Sequence, residues 1–237
     1  MSAVHRNGSI YFCGGIYNGN TVDSCTKFSL SSQSFSAIAN MPFGVNHSSY
    51  AADSERFYVV GGRTGGNVPD VGYDYLQIYT FSTDTWVKTN TFPQRRGGMG
   101  CGILISASLY VIGGETTDSN GPSDGVYQRV DIYNTATQLW TRGTDLPFGM
   151  HGICPVYTGS EIVIVGGRVR VGASSSSVYI GLPIGTTTTT KTLTTTTTDN
   201  NYNIDNYNKD TDNNYNKDTF QKLFQGMQLH SKQSLSV

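Results

Sequence analysis

Short apolar runs that stop at paired glycines recur along this chain. Phe57-Tyr58-Val59-Val60 runs into Gly61-Gly62. The same pattern appears as Ile10-Tyr11-Phe12-Cys13 before Gly14-Gly15, as Leu109-Tyr110-Val111-Ile112 before Gly113-Gly114, and as Ile162-Val163-Ile164-Val165 before Gly166-Gly167. The period is about fifty residues, which marks a repeat architecture. Other positions keep the same phase. Phe35, Trp86 and Trp140 follow three of the doublets, and each is followed seven positions later by a proline: Pro42, Pro93 and Pro147. Nearly all the length variation falls just after the glycines. Insertion-tolerant segments are surface loops, so each doublet closes a strand and opens a variable loop.

Within one period the pattern predicts four short strands, at 99–105, 108–112, 126–133 and 138–142. The second is continuously apolar, as expected of a strand covered on both faces. The third alternates more, and Gly, Asn, Asp and Ser clusters separate the strands. A strand leaving a crowded interior needs positive φ or close backbone approach, and glycine supplies both.

This pattern resembles the kelch repeat. The resemblance lies in the doublets, in Tyr11, Tyr58 and Tyr110 just before them, in the third-strand aromatics Phe28, Tyr79 and Tyr133, and in the indoles of Trp86 and Trp140. It covers roughly residues 2–185. It implies an all-β fold: a β-propeller with blades of four antiparallel strands around a central channel. The blades fall at about 3–40, 43–90, 97–143 and 150–185, so the chain holds about three and a half of them. The first strand is expected to be cut short, to about residues 3–6. In the fourth blade no tryptophan follows where one is due, and two threonine runs stand where the fourth strand belongs. Threonine favours extended structure but specifies register poorly. Three arrangements fit: a small closed ring, an arc completed by another copy through its open blade edges, or a truncated product without independent function. The incomplete arc is the expectation here, because both ends break off inside a repeat.

Composition changes the picture in two places. A formal net charge of −1 argues against a nucleic-acid partner, which selects a basic excess. Residues 186–237 are threonine-rich, then rich in Asn, Asp, Tyr and Lys, with Asn206-Tyr207-Asn208-Lys209-Asp210 returning as Asn214-Tyr215-Asn216-Lys217-Asp218. Such text builds no core, so disorder is expected, apart from a short helix at 219–229 suggested by Phe220, Leu223, Phe224 and Met227. No apolar run is long enough to span a bilayer and none near the start resembles a signal peptide, so a cytoplasmic location is expected. An extracellular one is expected only if the chain is part of a longer protein. Cys13, Cys25, Cys101 and Cys154 then read as reduced, buried small apolar residues, although a disulfide between adjacent blades is geometrically open.

The loops after second and fourth strands share one face of a propeller. That face carries Arg63 and Arg168, directly after two doublets, with Arg95 and Arg96. Guanidinium groups pair bidentately with carboxylates, which suits an acidic protein or peptide ligand. Asp70, Glu115, Asp118 and Asp124 lie on the same loops and oppose that charge. The expected function is a non-enzymatic scaffold for protein–protein interaction, without cofactor, metal or catalytic residues. The alternative is a propeller enzyme of the oxidase or sugar-isomerase kind, which would gather titratable groups such as His47 and His151 at the channel mouth. Structural roles fall to Gly14, Gly15, Gly61, Gly62, Gly113, Gly114, Gly166 and Gly167, and to Phe35, Trp86 and Trp140.

Overall fold

A computed structural model of the chain describes residues 1–65, 71–170, 173–174 and 178–181. These belong to one compact unit, Met1–Thr195. The expected helix at 219–229, the threonine strand and the low-complexity tail lie outside the described residues.

The first sheet contains β1 (Ser2–Arg6), β2 (Ser9–Cys13), β5 (Cys25–Ser29) and β6 (Ser34–Ala37), in that spatial order, with a small hairpin of β3 (Ile16–Tyr17) and β4 (Asn20–Thr21) after its doublet. The second is β7 (Ser49–Ala52), β8 (Arg56–Val60), β9 (Leu76–Thr80) and β10 (Thr85–Thr89). The third is β11 (Ile103–Ile105), β12 (Ser108–Ile112), β13 (Val130–Asn134) and β14 (Leu139–Arg142). In the fourth, β15 (Val156–Tyr157) and β16 (Ile162–Val165) precede a hairpin of β17 (Arg168–Arg170) and β18 (Ala173–Ser174), and β19 (Val178–Gly181) then pairs with β16. Strands that neighbour one another in a sheet run antiparallel. This is part of a β-propeller: three four-stranded sheets and, among the described residues, a three-stranded one, repeated side by side.

The turns explain the registers. Asn7 and Gly8 both have positive φ, 45° and 70°, the requirement of a two-residue hairpin whose twist matches its strands. With that turn fixed, every residue of β1 finds a partner in β2, from Arg6 opposite Ser9 to Ser2 opposite Cys13. The first strand is therefore not cut short, as the sequence suggested. It is five residues long, and Ser2 Oγ reaches Ser48 Oγ, just before the next sheet, at 2.9 Å.

β11 starts later than the pattern predicts, because the segment before it bonds to neighbouring blades instead of its own. Cys101 bridges Tyr50 of the second blade, and Gly98 O accepts from Gly152 N–H of the fourth at 2.7 Å. β13 also starts later than expected, since Val126 bridges Glu115 and Tyr127 N–H donates to Gly114 O.

Second strands form the interior. Phe57, Tyr58, Val59 and Val60 are each at most 1% exposed, and Leu109, Tyr110, Val111 and Ile112 at most 5%. The core divides into one layer per junction between sheets. Tyr11, Cys13 and Cys25 meet Phe57, Val59 and Tyr79. Tyr58, Val60 and Leu76 meet Leu109, Val111 and Tyr133. Tyr110, Ile112, Val130 and Ile132 meet Ile162 and Ile164. Each sheet thus packs one face forward and the other backward, in the same register.

The cysteines overturn one expectation. They are not free: Cys13 bonds Cys25 across β2 and β5, and Cys101 bonds Cys154 between the third and fourth blades. The registers bring the paired Cα atoms to 4.2 Å and 4.6 Å.

Candidate interaction face and the charges beneath it

Each doublet turns its strand out of the core under tight steric limits. Gly61 has φ 60°, and a Cβ there would lie 2.7 Å from Arg96 O. At Gly113, φ is 64° and a Cβ would run into Met150 O. Those carbonyls belong to segments that cross from one blade to the next. The second glycine of each of the first three doublets also donates its amide to such a segment: Gly15 to Val45 O at 2.9 Å, Gly62 to Arg96 O at 3.0 Å and Gly114 to Met150 O at 2.7 Å. A side chain here would push neighbouring blades apart.

The residues just past the doublets sit where adjacent blades converge. Arg63, from the second blade, is 4% exposed, and its Nη1 donates to Glu115 Oε1 of the third at 2.7 Å. Glu115 Oε2 lies 3.2 Å from His151 Nδ1 of the fourth. A buried carboxylate therefore ties three successive blades together. The first blade joins through Thr21 Oγ1, which accepts from Asn46 Nδ2 at 2.6 Å, while Asn46 exchanges backbone hydrogen bonds with Arg63. Beside this cluster, partial burial and then the Arg63 charge hold the His47 imidazole below its ordinary pKa, with Glu115 pulling the other way. His47 and His151 thus share one electrostatic neighbourhood. His5 lies toward the end of β1, opposite Ile10.

Arg96 is fully buried. Its Nε donates to Gly113 O at 2.6 Å, its Nη1 to Asp131 Oδ2 at 2.8 Å, and its guanidinium lies 4.4 Å from the Phe92 ring centre. Desolvation pushes its pKa down to about 10, and Asp131 opposes that shift, so it stays charged at neutral pH. Asp131 also accepts a two-pronged contact from Arg129.

The four arginines expected at the rim therefore separate. Arg63 and Arg96 are committed to carboxylates inside the fold. Arg95 reaches outward, 53% exposed along its side chain while holding Asp118 at 2.7 Å. Arg168 is exposed, with no ion pair among the described residues.

Sequence patterning missed Asp131 and Gln77, both wholly buried at the second position of third strands. Gln77 accepts from Phe43 N at 2.9 Å and donates to Phe43 O at 3.0 Å, fixing the loop that carries Pro42. A lone polar residue inside an apolar strand, as in Leu76-Gln77-Ile78 and Val130-Asp131-Ile132, is the signal that marks them.

The three aromatics occupy one register position, on the outermost strand opposite a third-strand ring: Phe35 opposite Phe28, Trp86 opposite Tyr79 and Trp140 opposite Tyr133. Trp86 Nε1 donates to Ala39 O at 2.9 Å, and Trp140 Nε1 to Thr91 Oγ1 at 3.4 Å, so each indole leans on the chain leading out of the preceding blade. Both indoles are only half-buried, and Phe35 is 67% exposed.

No family model matches the chain. Individual proteins do. It is 26% identical over 185 residues to Kelch-like protein terF of Aspergillus terreus, which covers 75% of this chain and 39% of that protein. It is 23% identical over 176 residues to Kelch-like protein 35 of Mus musculus, covering 74% of the chain and 28% of the relative. It is 30% identical over 150 residues to Kelch-like protein 26 of Danio rerio, covering 61% and 23%. The chain thus spans well under half the length of these relatives. Among solved structures, that of YjhT superposes with a TM-score of 0.64 at 18% identity, over 76% of this chain and 61% of the other, a likeness of fold. The doublet repeat, the sheets stacked in register and these relatives together make the chain a kelch-repeat protein, folded as part of a kelch-type β-propeller.

Proposed function

We propose that the chain is a non-enzymatic interaction scaffold that grips a protein or peptide segment with the loops following its second and fourth strands. One observation carries this: the strands and buried ion pairs fix the blades rigidly, while the variable loops leave Arg95 and Arg168 exposed on that side. The acidic ligand suggested by the sequence is then met by these two residues. Arg63 and Arg96 act beneath the surface, holding the loops in place. The convergence of Arg63, Glu115 and His151 supports a clasp better than an acid–base centre, because both Glu115 oxygens are engaged and its side chain is 6% exposed. Residues 1–185 form the repeat region in this reading, and 186–237 are an appended tail.

Selection of a random peptide library on the immobilised chain tests the proposal. Enriched peptides should be acidic, and Arg95→Ala with Arg168→Ala should weaken them at least tenfold. Enrichment without acidic bias, or binding indifferent to both changes, would contradict it.

A further inference from the structure

The two terminal blades leave uncovered the very faces by which neighbouring blades join. The position of Phe57, Leu109 and Ile162, which are 0%, 0% and 6% exposed, is held in the first blade by half-exposed Ile10. The position of Val59, Val111 and Ile164, at most 3% exposed, is held there by half-exposed Phe12. Phe28 and Phe35 complete this face, with ring centres 4.8 Å apart.

The fourth blade shows the complementary face. Tyr58 and Tyr110 are at most 4% exposed, but their equivalent Val163 is half-exposed. Val60 and Ile112 are at most 5% exposed, but Val165 is 65% exposed. Ala51 and Ile103 are buried, but Val156 is 62% exposed. The hydrogen bond also lacks its last member. Gly15, Gly62 and Gly114 each donate to the following blade, whereas Gly167 N–H has no acceptor among the described residues.

We propose that a second copy of this chain supplies the missing neighbour. The fourth-blade face of one copy, around Val156, Val163 and Val165, stacks on the first-blade face of the other, around Ile10, Phe12, Phe28 and Phe35. The junction repeats three that the molecule already makes internally, and it is head-to-tail, so two copies with both junctions made close a ring. It does not depend on the rim arginines binding a ligand. Burying these apolar side chains supplies the drive, as it does between blades.

Light scattering on the full chain across a concentration series, combined with mixing of two variants, tests this. The native chain should show twice its single-chain mass. Phe35→Glu and Val165→Glu each change a side chain that is at least 65% exposed, so each should fold with unchanged β circular dichroism but weaken association at least tenfold. Val156→Glu replaces Val165→Glu if the latter loses its β signal. Mixing the two variants should restore a two-chain species, because each contributes the one face the other lacks. A single-chain mass at 100 µM native protein would overturn the proposal. So would a variant that still associates fully alone, which would mean like faces pair, or a mixture that stays monomeric.

Discussion

Arg96 and Asp131 show how residue-scale chemistry serves the fold. Both are fully buried, and their pairing locks the segment between the second and third blades onto β12 and β13. Removing one partner leaves the other's charge fully buried. Arg96→Leu should cost about 3 kcal/mol, the lower end for a broken buried pair because Arg129 still holds Asp131. Arg96→Leu combined with Asp131→Leu should cost less than Arg96→Leu alone, and urea titration of the two variants checks the order. The His47 imidazole gives a pH dependence whose sign follows from its lowered pKa. Below about pH 6.5 the unfolded chain takes up this proton before the folded one does, so stability falls as pH drops through that window. The urea midpoint should be lower at pH 5.5 than at pH 7.5, and His47→Gln should reduce the difference. An identical difference in the variant would contradict the assignment.

At the scale of the strand and its turn, the doublets and the outer aromatics make separable predictions. Gly113→Val combines a left-handed φ with a collision against the next blade's backbone, and it should prevent folding or lower the melting temperature by more than 10 °C. Trp86→Ala should cost about 2 kcal/mol, below the range for a fully buried ring, because the indole is half-exposed. Phe35→Ala, at the same register, should cost under about 0.5 kcal/mol in dilute protein, since the ring is mostly exposed. Equal losses would contradict the contrast between an inner and a terminal blade. The Cys101–Cys154 bond closes a sequence separation of 53 and staples two blades. Reduction should lower stability by about 2–4 kcal/mol. Peptide mapping of unreduced protein checks both pairings, which persist in an oxidising compartment and not in a reducing cytosol.

For the whole molecule, what was legible in the sequence was whatever repeats locally. Apolar runs ending in Gly-Gly, and rings at constant spacing, report each sheet from within its own fifty residues. What escaped depends on contacts between strands of a sheet or between repeats. Cys13 meets Cys25 only once β2 and β5 are in register, and Cys101 meets Cys154 only once two blades are stacked. Arg63 and Arg96 follow or precede loop residues, as exposed cations do, but neighbouring blades enclose them. The first strand is a different case: the local Asn7-Gly8 turn, not the distance to the chain start, sets its pairing.

Native-state amide hydrogen exchange tests the stacked-sheet account most directly. Protection should rise and fall with the repeat: slowest in β8 and β12, enclosed on both faces, and at least tenfold faster in the outer strands β6, β10 and β14. Outer strands as protected as β8 and β12, or protection with no period near fifty residues, would contradict it.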